Sequence, residues 1–117
     1  MRKGFRELKV WQRGYEMTLE IYQLTKKFPS SEQHGMISQM RRAATSVPAN
    51  ISEGYERNSK KEYLHFLNIA RGSLSELETF MLLAKDLKYI NEEQFSSVEE
   101  IRVETVKMLK GLIKSLN

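Results

Sequence analysis

Apolar residues recur along this chain at steps of three and four, and strict alternation never persists over a strand's length. The pattern therefore predicts helices and no sheet. In the first periodic stretch Leu8, Trp11, Tyr15, Thr18 and Tyr22 share one line, with Met17, Ile21, Leu24 and Phe28 on the next. Met36, Met40, Ala43, Val47 and Ile51 continue the spacing in a second stretch. A third carries Tyr63, Leu67, Ala70, Leu74, Leu77, Met81 and Ala84, flanked by Phe66, Ile69, Ser73, Glu76, Phe80, Leu83 and Leu87. The last offers Val98, Ile101, Thr105, Met108 and Leu112, with Leu109, Ile113 and Leu116 alongside.

Three start signals divide these stretches. Ser30-Ser31-Glu32-Gln33 after Pro29, Ser59-Lys60-Lys61-Glu62 and Asn91-Glu92-Glu93-Gln94 each place a capping oxygen three residues before a Glu or Gln. Four helices follow, over 7–28, 31–56, 59–88 and 92–116. Short links between long helices force antiparallel neighbours, so the expectation is an all-α, antiparallel up-down-up-down four-helix bundle in one domain, 1–117. Pro48 falls inside the second helix, where it removes an amide donor and presses on the Ala44 carbonyl. A kink there and a split into two short helices near Val47 both fit. Helical spacing that persists across the proline favours the kink.

The third helix has a wider apolar arc than one bundle core requires. A lone protomer would leave part of that arc in water, so the sequence predicts self-association; the alternative is a helix deeply wedged inside the monomer.

Composition then removes most chemistry. With no Cys in 117 residues there is no disulfide, thiolate metal site or cysteine nucleophile, which suits a reducing, cytoplasmic setting. No apolar run exceeds the five residues Phe80–Ala84, and the basic start has no apolar region after it, so neither a membrane span nor a signal peptide is expected. Asp86 is the sole Asp, and His34 and His65 are the two His. Neither a Ser-His-Asp triad nor a phosphate-cradling glycine loop is present as a motif. Glu62 and His65 have the Glu-x-x-His spacing of di-iron bundles, but those need two such pairs plus two further glutamates, and the single pair here reads as a solvated histidine on the polar side. Arg57 and His65 are too far apart for the Arg-then-His motif of helical-bundle ribonucleases. No enzyme, cofactor or metal is expected.

Charge is more informative. Residues 1–71 hold 13 Lys+Arg against 7 Glu, net +6, whereas residues 72–117 are net −2. The excess is concentrated in Lys26-Lys27, Arg41-Arg42, and Arg57 with Lys60-Lys61, clusters able to attract a phosphate backbone without reading sequence. The alternative is that they solubilise helix ends. Few aromatics interleave with them, which argues against base stacking. Along the second helix, Gln39, Arg42, Ser46, Asn50, Glu53 and Arg57 fall on one polar line. That line is either a wet face or a hydrogen-bonding seam at a subunit or partner contact.

Several stretches carry a resemblance. They are Phe5-Arg6-Glu7-Leu8-Lys9-Val10-Trp11-Gln12, Ile21 to Pro29, the central block Gln39-Met40-Arg41-Arg42-Ala43-Ala44-Thr45-Ser46-Val47-Pro48-Ala49-Asn50-Ile51-Ser52-Glu53-Gly54, and Phe66 to Leu77. Together they resemble the four-helix-bundle family of 23S rRNA intervening-sequence proteins, which includes accessory variability determinants of diversity-generating retroelements. The resemblance implies an antiparallel bundle and a homo-oligomeric ring, commonly a pentamer. It also implies basic surfaces that engage RNA or DNA and a protein partner such as a reverse transcriptase. Arg41, Arg42 and Arg57 are the matching basic positions. The chain departs from that pattern in its mild charge, although a five-fold ring would gather about +20. The expected function is thus a non-enzymatic oligomeric adaptor for nucleic acid. A purely structural or protein-binding homo-oligomer is the alternative.

Overall fold

A computed structural model describes residues 4–117. Four long helices dominate it: α1 (Lys9–Thr25), α2 (Ser38–Tyr55), α3 (Lys60–Asp86) and α4 (Glu92–Leu116). Among the described residues there is no strand. The packed pairs are α1 with α2, α2 with α3, α3 with α4, and α4 with α1, which closes the four around one core. The molecule measures 43 × 25 × 24 Å, the long dimension set by α3.

The start signals meet different fates. Asn91 caps α4 as expected: its side chain accepts from the Gln94 amide at 2.7 Å, and the Gln94 side chain accepts from the Asn91 amide at 2.8 Å. Ser59 accepts from the Glu62 amide at 3.1 Å and so caps α3. Ser30 caps nothing. A 3₁₀ turn over Ser30–Glu32 and a π turn over Gln33–Ile37 occupy the expected first two turns of the second helix, and Gly35 leaves helical geometry at φ −111°, ψ −107°. The capping oxygen belongs instead to Glu32, which accepts from the Met36 amide at 3.3 Å and also receives the Tyr89 hydroxyl at 2.9 Å. The regular second helix therefore begins at Ser38 rather than 31. The first helix is likewise shorter than expected, because a separate 3₁₀ turn forms over Phe5–Glu7 and helical bonding stops at Thr25.

Helix α2 is continuous through Pro48. The proline lacks the amide that would serve the Ala44 carbonyl in a regular helix. A neighbour supplies the donor: the Thr18 hydroxyl on α1 lies 3.0 Å from that carbonyl and 2.8 Å from the carbonyl of Gly14. The close approach this needs is made at Gly14, where a Cβ would come within 3.2 Å of Val47 Cγ1 and 3.6 Å of Pro48 Cδ.

Residues from all four helices fill the core, among them Met17, Ile21, Met40, Val47, Ile51, Leu67, Leu74, Leu77, Met81, Val98 and Leu109. Of the two lines on the first helix, the one through Met17 and Ile21 is inside. Tyr15 and Tyr22 on the other face solvent, with Tyr15 stacked on Trp11 at 5.1 Å. On α3 the first line is buried from Leu67 to Ala84, whereas Ile69, Leu83 and Leu87 of the second line stand 39–50% exposed, joined by Leu82. Large apolar side chains thus do lie outside the core on α3.

Candidate nucleic-acid interface

The order of contacts places Arg41 of α2 beside the last turn of α1. Its Nε donates to Thr25 Oγ1 at 2.9 Å, its Nη2 to the Tyr22 carbonyl at 3.4 Å, and its guanidinium lies 4.6 Å from the centre of the Tyr22 ring. Thr25 can receive this bond because its own hydroxyl proton goes to the Ile21 carbonyl at 2.8 Å. Arg41 is thereby held flat and half-buried, with one face on an aromatic ring. Arg42, one position on, points to the other flank of α2. There it donates to Gln39 at 2.9 Å and pairs with Glu76 of α3 at 3.2 Å, both partners well exposed.

Between these two arginines opens a groove of about 710 Å³, lined by Tyr22, His34, Arg41, Arg42, Ser46 and Ala49. The π turn brings His34 there, which explains why helical spacing alone gave that histidine no role. The groove combines two guanidinium groups, an imidazole and an exposed aromatic edge. Such a set can bind phosphate through the cations and stack a base on the ring.

The other sequence candidates are dispersed. Lys26 and Lys27 are exposed just beyond α1, at the same end of α2 as Arg41. Arg57, Lys60 and Lys61 cluster at the α2–α3 turn, about 24 Å of helix away at ~1.5 Å per residue. Arg57 is the most engaged of them: it meets Glu53 at 2.9 Å and Glu62 at 3.8 Å, and lies 4.7 Å from the Phe66 ring centre. The polar line of α2 runs along α3. Ser46 Oγ accepts from Ser73 at 2.8 Å and from Asn50 at 2.9 Å, and Asn50 also donates to the Ser46 carbonyl. Gln39, Ser46, Asn50 and Glu53 thus have partners inside the same chain. His65 is exposed and edge-on to Phe66, and among the described residues no three His, Asp or Glu side chains gather as metal ligands.

One constellation escaped the sequence reading. Arg102 occupies the core-facing sequence Val98, Arg102, Thr105, Leu109 on α4, at steps of four, three and four, with its side chain 8% exposed. Its guanidinium forks onto Glu99 at 2.8 and 2.7 Å, reaches Glu78 of α3 at 3.0 Å and donates to the Leu74 carbonyl at 3.4 Å. The Arg102 hydrogen bond holds the Glu99 carboxyl below its ordinary range and raises Arg102 in turn. An arginine on an apolar line was the available signal.

The family model described as 23S rRNA-intervening sequence protein matches residues 6–111. A crystal structure at 1.70 Å of a protein of unknown function from the S23 ribosomal protein family of Bacteroides thetaiotaomicron is similar at 30% identity. Its TM-score is 0.83, over 90% of this chain and 95% of that one. No curated protein matches. Among the described residues no helix is long and apolar enough to cross a membrane.

Proposed function

Because this chain belongs to the 23S rRNA-intervening sequence protein family, we propose that it is a non-enzymatic, oligomeric adaptor that binds RNA or DNA. Its binding groove is the one between α1 and α2, and a nucleic-acid enzyme such as a reverse transcriptase is its protein partner. The observation that carries this reading is the groove itself, where Arg41 lies on Tyr22 beside Arg42 and His34. Cation and ring side by side suit a strand whose phosphates and bases are both accessible. Copies associate through the outer face of α3, where Ile69, Leu83 and, just past its end, Leu87 are exposed. A pentameric ring would set five grooves on one particle and multiply the +4 charge of each chain to about +20. Supporting the up-down-up-down course is the contact order: Gly14 meets Val47 while Thr25 meets Arg41, and Ser46 meets Ser73 while Gly54 meets Tyr63. A bend at Pro48 belongs to the same reading, on the support that the Ala44 carbonyl takes its donor from Thr18 and not from within α2.

The competing reading is a structural or protein-binding oligomer without nucleic acid. It is favoured by the pairing of Arg42 with Glu76 and of Arg57 with Glu53 and Glu62, which leaves those charges neutralised within the fold. Titration of labelled RNA across a salt series separates the two. The adaptor binds with an affinity that falls as salt rises, and R41E/R42E abolishes binding while the fold persists. Wild-type protein that fails to bind at low salt, or binds indifferently to salt, refutes it.

A further inference from the structure

A second groove, of about 610 Å³, lies between α3 and α4, with Arg71 and Ser75 on one wall and Lys107 and Lys110 on the other. Its cations differ in state from those of the α1–α2 groove. Arg42 is paired with a carboxylate there, and Arg41 is stacked and hydrogen-bonded. Arg71, Lys107 and Lys110 are exposed, and among the described residues none of them has a carboxylate within ion-pair distance. The acid in the wall, Glu78, is already bound to Arg102 at 3.0 Å, and Arg102 is itself committed to Glu99. Arg102 with its two acids leaves one net negative charge in the wall, against the three outward positive charges of Arg71, Lys107 and Lys110.

The placement is also directional. On α4 the acids Glu92, Glu93, Glu99, Glu100 and Glu104 come first, and Lys107, Lys110 and Lys114 follow. Lys107 and Lys110 sit three residues apart on one helix face, a like-charge neighbourhood that works against the helix unless an anion bridges it. Across the groove Arg71 offers a planar fork suited to a phosphate, and Ser75 offers a neutral hydroxyl. No aromatic ring lines the groove, so bases have nothing to stack on there.

We propose that the α3–α4 groove binds the phosphodiester backbone of a nucleic-acid strand through Arg71, Lys107 and Lys110, independently of base sequence. This rests on the nucleic-acid reading of the chain and adds a second contact on a different face from Arg41 and Arg42. The division of the sequence into a basic first half and an acidic second half concealed it, because Arg71 and Lys107 meet only through the packing of α3 on α4.

The test is a fluorescence-anisotropy titration of a short single-stranded RNA across a salt series, with wild type and the R71Q/K107Q/K110Q variant. All three side chains are exposed, and an unchanged thermal melt verifies the fold. The slope of log affinity against log salt should fall by about 2, at ~0.7 per lost single-strand phosphate contact, and equally for RNAs of different sequence. Wild-type binding with an unchanged slope in the variant overturns this inference and leaves the adaptor reading standing. Wild type that binds no RNA at about 50 mM salt overturns both. A poly-glutamate peptide that binds wild type as tightly as the RNA, and loses binding in the variant, makes the groove a dock for acidic protein and overturns the strand assignment.

Discussion

Replacing Thr18 by Val tests how a proline is tolerated inside α2. Ala44 is fully buried, and its carbonyl faces the ring of Pro48 instead of an amide. The Thr18 hydroxyl, 3.0 Å away, is the donor in reach. Valine keeps the shape and removes the proton, so a buried carbonyl loses its partner at a cost of about 1–3 kcal/mol. Since Thr18 is only partly buried, the lower part of that range applies, about 1–2 kcal/mol, or a Tm drop of several degrees. The second arm is Pro48→Ala, which returns an amide to position 48 and lets α2 serve its own carbonyl. In that background Thr18→Val should cost less than about 0.5 kcal/mol, a coupling of roughly 1 kcal/mol. Urea titrations followed by circular dichroism at one fixed protein concentration give all four corners of the cycle. The loss of Pro48 packing against Gly14 enters both sides and cancels. A coupling within about 0.3 kcal/mol of zero would mean that the hydroxyl proton stays on the Gly14 carbonyl, and would refute the reasoning.

Arg102→Met leaves Glu99 and Glu78 facing each other without their cation and should cost about 2–3 kcal/mol, less than for a fully buried pair because Glu78 is partly exposed; adding Glu99→Met should restore part of the loss in the same denaturation assay. The Glu99 carboxyl is held low by Arg102, so its contribution is complete above the ordinary carboxylate range and is lost as pH falls through the lowered folded value. Acid titration of stability should therefore flatten in that window in Arg102→Met. Gly54→Ala should destabilise by about 1–3 kcal/mol, because a Cβ there comes within 2.9 Å of Phe66 Cβ and 3.0 Å of Tyr63 Cδ1. Gly72→Ala, where a Cβ meets nothing, should instead stabilise α3 by about 0.5–1 kcal/mol, and thermal melts check both. Light scattering at micromolar concentration should return a mass well above the 13.7 kDa of one chain, and L83E/L87E should bring it down to that value. A wild-type mass of one chain would remove the oligomeric ring.

Helical periodicity located the four elements because burial follows it closely: the lines through Met17, Met40 and Leu74 became the core. The boundaries at Asn91 and Ser59 were equally legible, since a cap is a local bargain between neighbours in sequence. The start of α2 was not. Glu32 bonds Met36 and Tyr89 together, and Tyr89 is 57 residues away. The same limit applies to the basic residues. Arg41 and Arg42 are adjacent in sequence, yet the helix turns one toward α1 and the other toward α3, so one reaches an aromatic ring and the other a carboxylate. Arg71, Lys107 and Lys110 form no cluster along the sequence, and only the packing of α3 on α4 makes them a group.

Which cations can serve a phosphate depends on what each would give up. Arg102 is buried and bound by two acids, and withdrawing it would strand both. Arg57 would leave two carboxylates and an aromatic ring. Arg42 gives up little: its bridge to Glu76 is 3.2 Å long, with the two side chains 61% and 41% exposed. Such an exposed pair is worth about 0.2–1 kcal/mol, so a phosphate can displace the carboxylate at small cost. Glu76 is then a competitor for the same guanidinium, and Glu76→Gln should tighten RNA binding by about 1.5- to 5-fold, the factor equivalent to that energy. The gain should vanish in an R42Q background, which separates competition at Arg42 from a general reduction in negative charge. If Glu76→Gln tightens binding equally in both backgrounds, Arg42 is not a phosphate ligand, and Arg41 with Tyr22 must carry the α1–α2 groove alone.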